Sequence, residues 1–141
     1  KIKINMEYKN KKVIIFACVH NAGRSQIAFA FFNKYKTNEN IIGISAGTNP
    51  ANEIHPNVLT IMKEIDIDLT NIKPRKLDDK LAKTANTIVT MGCGEKCPYI
   101  PGIKIIDWQI PDPKNESFEK VREIRDYIEI KIKEFIKDNK Y

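Results

Sequence analysis

Five consecutive apolar residues, Val13-Ile14-Ile15-Phe16-Ala17, break into the tight segment Cys18-Val19-His20-Asn21-Ala22-Gly23-Arg24-Ser25. A helical pattern follows as far as Tyr35, with Ile27, Ala28, Phe31 and Phe32 on one side. The run has the length and β-branched content of a buried strand, and apolar steps of three and four mark an amphipathic helix. Strand, loop and helix in such close succession direct the helix back over the strand. A parallel sheet is the architecture that uses this unit.

Further elements repeat the alternation. Ile41 to Ser45 reads as a second strand, and His55-Pro56 opens a helix in which Leu59, Met62 and Ile65 keep helical spacing. Asp78 is placed to cap a short helix ending near Lys83. Thr87–Met91 and Ile103–Asp107 are two more strands, and from Ser117 onward Phe118, Val121, Ile124, Ile128, Ile132 and Phe135 define a long amphipathic helix. The expectation is a single α/β domain over residues 1–141, with helices on both faces of the sheet and residues 1–11 as an N-terminal extension. Parallel sheets bind ligands beyond the carboxyl ends of their strands, so the chemistry is expected just after Ala17, Ser45, Met91 or Asp107.

Composition excludes several classes. With 42% apolar residues in 141, the chain can bury one core, and three cysteines are too few for a disulfide scaffold. The net charge of +6 favours anionic partners, but the basic residues are scattered among acids rather than gathered in a stripe, so nucleic acid is not an expected partner. No apolar run has the length of a membrane span, and Lys1-Ile2-Lys3-Ile4-Asn5 lacks the apolar core of a secretory signal. A cytoplasmic location without membrane attachment is therefore expected.

The loop after the first strand has the makings of an oxyanion site. Amides of Val19, His20, Asn21, Ala22, Gly23 and Arg24 can turn inward at a helix N-terminus, where the dipole also favours an anion, and the Arg24 guanidinium can clamp two oxygens. The same field favours the thiolate of Cys18, a competent nucleophile. Gly23 and Asn21 tolerate the left-handed backbone such a loop demands. Cys18 as a small buried hydrophobe is the plain alternative. His20 is read as a packing or surface residue rather than a base or metal ligand.

Two other segments should reach the same sheet edge. Asp112, in Ile110-Pro111-Asp112-Pro113, can protonate a departing oxygen as general acid, with Asp107 the second choice. Local sequence alone favours a loop aspartate without a role. Cys93 and Cys97 follow the third strand in Gly92-Cys93-Gly94-Glu95-Lys96-Cys97-Pro98, and three thiols at one edge suggest a relay. On a regular helix residues four apart hold their Cβ atoms about 5–6 Å apart, too far for a comfortable disulfide, so joining them requires local unwinding. Gly92, Gly94 and Pro98 weaken a helix there. Structural thiols, or a zinc site of Cys18, Cys93, Cys97 and His20, are the alternatives; no metal is expected.

Taken together, the loop Cys18 to Ser25 followed by Gln26-Ile27-Ala28, then Ser45-Ala46-Gly47-Thr48, His55-Pro56, Ile65-Asp66-Ile67-Asp68 and Asp112-Pro113 resembles the low-molecular-weight protein tyrosine phosphatase superfamily, whose arsenate reductases share this loop. The resemblance implies a flavodoxin-like fold with a four-stranded parallel sheet, Ser25 bonded to the Cys18 thiolate, and Ser45 steadying Asn21. Cys93-Gly94 with Cys97-Pro98 and Pro101-Gly102 is similar to the redox segment of the reductases, and Lys114-Asn115-Glu116 stands where the phosphatases carry tyrosines. The implied activity is thioredoxin-coupled reduction of arsenate by a monomer, through Cys18, Arg24, Asp112, Cys93 and Cys97 and without a cofactor. A low-molecular-weight thiol is the alternative donor. A tyrosine phosphatase using Cys18, Arg24 and Asp112, and a non-catalytic oxyanion or metal sensor, are the rival functions. Some thioredoxin-coupled members hold potassium through a carboxylate where this chain has Phe29, so that cation is not assumed here.

Overall fold

Residues 11–93, 96–97 and 99–141 are described by a computed structural model of the chain. The elements are β1 (Lys12–Cys18), α1 (Arg24–Tyr35), β2 (Ile41–Gly47), α2 (Pro56–Lys63), α3 (Asp79–Ala82), β3 (Thr87–Thr90), β4 (Lys104–Asp107) and α4 (Phe118–Asn139). The four strands form one sheet in the order β2-β1-β3-β4, and every neighbouring pair runs parallel. Phe16 sits opposite Ser45 on one side and Val89 on the other, and Cys18 ends β1 opposite Gly47.

The period of two along β1 divides the core. Ile14 and Phe16 face a cluster built with Ile27, Phe31 and Phe32 of α1, Val58, Ile61 and Met62 of α2, and Val121, Ile128 and Ile132 of α4. Phe16 packs on Phe32 and Phe135 at 5.4 and 6.3 Å between ring centroids. Val13, Ile15 and Ala17 face the opposite way, toward Leu77, Ala82, Ala85 and Cys93. Among the described residues helices thus cover both faces, three on one side and the short helix α3 on the other.

The ends of the helices are set by local chemistry. Asp78 caps α3 by accepting from the Leu81 amide at 2.8 Å, and Ser117 caps α4 from the Lys120 amide at 3.1 Å. The expected apolar stripe of the second helix is corrected in detail. Val58, Ile61 and Met62 are its buried residues, and the helix stops at Lys63, before Ile65. The stop is a Schellman turn: Ile67 donates to Met62 O at 3.0 Å and Asp66, at φ 64°, to Lys63 O at 2.9 Å. An aspartate rather than a glycine occupies the left-handed position, which is why the spacing alone carried the helix too far. The expected N-terminal extension, apart from Lys11, and the helix-weakening Gly94 and Pro98 lie outside the described residues.

Candidate active site

The loop between β1 and α1 is held from outside by its own carbonyls. Cys18 O, Val19 O, His20 O and Ala22 O accept from the amides of Thr48, Asn49, Ala51 and His55 at 3.2, 2.8, 3.0 and 3.0 Å. Gly23 O accepts from Ile27 N inside the first helical turn. Among the described residues no amide from Val19 to Gln26 donates to a protein group. A ring of satisfied carbonyls and uncommitted amides at a helix N-terminus is the arrangement an oxyanion requires.

Cys18, 2% exposed, lies 2.9 Å from Ser25 Oγ, and Asn21 Nδ2 donates to the same hydroxyl at 2.7 Å. With the hydroxyl accepting from Asn21, its own proton is available to the Cys18 sulfur. Asn21 is fully buried with φ 49°, a left-handed conformation that needs support. That support comes from three bonds: to Ser25, from the Arg75 amide to Asn21 Oδ1 at 3.0 Å, and from Gln26 Nε2 to Asn21 O at 2.9 Å. Asn21 is held by Ser25, Gln26 and Arg75, and among the described residues no hydrogen bond joins it to Ser45, the residue expected to steady it. Among the described residues Ser45 enters this network through its carbonyl, which accepts from Arg75 Nε at 3.1 Å.

Arg24 stands over the loop. Its Nη1 donates to Ile110 O at 3.2 Å and its Nη2 lies 3.5 Å from Asp112 Oδ2. Gly92, at φ 93°, gives it room: a Cβ there would lie 2.4 Å from Arg24 Nη1. Asp112 also accepts from the Lys114 amide at 3.0 Å and leaves its carboxyl half-exposed toward the loop's arginine. Asp107 is tied down by Thr90 Oγ1 at 2.6 Å and Gln109 Nε2 at 2.7 Å. His55 borders the site at the start of α2. Burial holds its pKa below the usual histidine value, overriding the pull of Asp112, and His20, Lys114 and Arg24 add to the lowering. His20 turns its Nδ1 to Asn49 O at 3.1 Å, as a residue packed on the surface does.

Cys93 and Cys97 are joined in a disulfide with Cα atoms 5.6 Å apart, and Cys18 is a free thiol. The segment carrying the pair is not helical at Cys93 or Cys97, in agreement with the unwinding that a disulfide at this spacing demands. Cys93 is 4% exposed and packs among the residues on the Val13–Ile15–Ala17 side of the sheet, whereas Cys18 belongs to the Ile14–Phe16 side. The structure thus brings Cys18, Arg24, Ser25 and Asp112 together and keeps Cys93 with Cys97. Among the described residues no three His, Cys, Asp or Glu side chains are grouped to hold a metal ion. Phe29 packs against the core.

The roles of Gln26, Arg75 and Gly92 in the site escaped sequence reasoning. Gln26 follows the loop and is a common helix residue, and Arg75 lies in an irregular segment 50 residues beyond Ser25 with no pattern to mark it. Gly92 was visible only as a helix breaker, because its close approach to Arg24 depends on long-range geometry.

Residues 13–140 match the family model described as low molecular weight phosphotyrosine protein phosphatase. An arsenate reductase of Bacillus cereus is 35% identical over 132 residues, covering 90% of this chain and 96% of the relative. A thioredoxin-dependent arsenate reductase of Corynebacterium glutamicum superposes with a TM-score of 0.80 at 34% identity, covering 96% of this chain and 70% of that one. A low molecular weight protein tyrosine phosphatase of T. tengcongensis superposes with the same TM-score of 0.80 at 18% identity, covering 91% and 99%. Fold alone therefore does not separate the two activities.

Proposed function

The chain belongs to the low molecular weight phosphotyrosine protein phosphatase family, and from that premise we propose that it is an arsenate reductase, converting arsenate to arsenite. The observation that carries the choice is the Cys93–Cys97 disulfide. Ester hydrolysis needs one nucleophilic sulfur and no electrons, whereas reduction of arsenate needs two electrons, the number a dithiol gives up on becoming a disulfide.

In this scheme arsenate sits in the loop, its oxygens met by the amides of Val19, His20, Asn21, Ala22, Gly23 and Arg24 and by the Arg24 guanidinium. The Cys18 thiolate, supported by Ser25, attacks arsenic. Asp112 protonates the departing oxygen, which leaves as water and yields a sulfur–arsenic adduct. Cys93 then attacks the Cys18 sulfur; the sulfur–arsenic bond breaks, its electron pair stays on arsenic, and arsenite leaves. The resulting Cys18–Cys93 disulfide is opened by Cys97, which frees Cys18 and forms the Cys93–Cys97 bond. A dithiol reductant closes the cycle, and the thioredoxin dependence of the Corynebacterium glutamicum relative supports thioredoxin in that role. Because Cys93 and Cys18 pack on opposite sides of the sheet, the segment beyond Met91 has to move for the second step.

No helix among the described residues is long and apolar enough to cross a membrane. We place the enzyme in the cytoplasm, where a reducing pool suits a thiol relay, working as a monomer without nucleic acid.

Arsenite production from arsenate with thioredoxin, thioredoxin reductase and NADPH tests the reading, beside Cys93→Ser and an aryl phosphate. Turnover that disappears with Cys93, while ester cleavage stays slow, is the expected outcome. Fast ester cleavage indifferent to Cys93, with no arsenite formed, would make the chain a phosphatase.

A further inference from the structure

The strap that follows α2 is hydrogen-bonded to the anion loop through Arg75. Arg75 gives its amide to Asn21 Oδ1, receives the Gly47 amide on its carbonyl at 2.9 Å, and sends Nε to Ser45 O at 3.1 Å. The next residues extend the same seam: Lys76 pairs with Gly47 in a parallel bridge and its Nζ bonds Thr48 O, and Leu77 N donates to Gly47 O at 2.8 Å. Any residue but proline at 75 keeps the amide, but only a long donor side chain reaches Ser45 O.

We infer that Arg75 is a positioning residue for the oxyanion site, its side chain anchoring to β2 the amide that holds Asn21 in the left-handed conformation. The consequence follows from the backbone. Asn21 is the one non-glycine residue of the loop at positive φ, and its peptide to Ala22 directs one of the uncommitted amides. If the Arg75 amide drifts, Asn21 loses the hydrogen bond that, among the described residues, ties it to the protein outside the loop and α1, and the amides no longer converge. Oxyanion affinity should suffer before the sulfur chemistry does, because among the described residues Cys18, Ser25 and Asp112 make no hydrogen bond or ion pair with Arg75. The bond to Ser45 O is charge-assisted, and losing one such contact is worth about a tenfold change in affinity.

The inference rests on the loop being the oxyanion site, so its test begins with inorganic phosphate as the probe, by calorimetry, which needs no turnover. Arg75→Ala is expected to weaken phosphate binding about tenfold and to raise KM for arsenate in parallel. Its kcat should stay within about threefold and its melting temperature close to the parent's. Arg75→Lys, whose ammonium still donates to Ser45 O, should recover affinity to within about threefold. If the alanine variant is unstable, Arg75→Gln keeps a shorter uncharged donor and is expected to lose about threefold. Unchanged phosphate affinity in a folded alanine variant, or in the glutamine variant if alanine does not fold, overturns the inference. So does a loss that lysine does not restore. A parent protein that binds no phosphate would instead sink the oxyanion reading itself.

Discussion

The Arg24 guanidinium is confined by Ile110 O, by the Asp112 carboxylate and by the bare Cα of Gly92. That confinement orients a flexible cation before the substrate arrives, which is where an enzyme gains most from a fixed charge. Gly92→Ala attacks it at one point. The new methyl would sit 2.4 Å from Nη1, on a backbone at φ 93° that an L side chain resists, so either the arginine or the Gly92 turn must shift. The expected result is a fall in kcat/KM for arsenate of at least about tenfold, because misplacing a clamp by an ångström can cost more than that. Steady-state kinetics of the folded variant decide it, and unchanged kcat/KM would mean that Arg24 has other room to move. Asp112→Asn removes the proton but keeps an oxygen near Arg24. It should lower kcat by about a hundredfold with little change in phosphate affinity, as general acids do. Single-turnover release of arsenite measures this, and retained kcat would pass the role of acid to another group or to water.

At the scale of elements, the junction of α2 with α4 is set by one carboxylate. Glu64 accepts from Arg122 through both oxygens, with bonds at 2.9 to 3.1 Å, and from Arg125 Nη1 at 2.7 Å. Those hydrogen bonds, first from Arg122 and then from Arg125, lower its pKa to about 2. A carboxylate whose folded pKa lies below its ordinary value stabilises the fold fully above that ordinary value and loses the contribution as pH falls toward the folded one. The stability difference between parent and Glu64→Gln should accordingly be level above about pH 5 and shrink toward pH 2. Denaturant titrations at stepped pH give the curve, and a difference that persists undiminished at pH 2 would remove the linkage. This junction was not legible in the chain, since Glu64 and Arg122 are 58 residues apart and both look like solvated surface. The elements themselves were legible, because Val13–Ala17 and the α4 repeat write their periods directly into the residues. Cys18, Arg24 and Ser25 were legible because a strand–loop–helix unit forces neighbours in sequence to be neighbours in space. Arg75 and Gly92 reach the site only through the folding of distant segments, and no local spacing encodes them.

Across the whole molecule the two sides of the sheet are unequally built. One carries α1, α2 and α4 over the rings of Phe16, Phe32, Trp108 and Phe135, and the other carries α3, Leu77, Ala85 and the segment holding the disulfide. A relay needs this asymmetry: the side that binds the oxyanion must stay rigid while the other releases Cys93 toward Cys18. Closing so short a loop stabilises the fold by roughly 2 kcal/mol in the chain-entropy picture, and this contribution disappears when the pair is reduced. The loss should be local. The amide bonds from Lys96 to Cys93 O and from Ile103 to Ile100 O belong to the redox segment, whereas the ladder of β1 with β2 and β3 is buried under both layers. Hydrogen exchange with and without a dithiol reductant should show protection falling at Lys96 and Ile103 and holding in β1, β2 and α1. The melting temperature should drop by a few degrees. Protection lost evenly across the sheet would mean that the disulfide braces the whole fold, and a relay built on a movable edge would then have no rigid side against which to work.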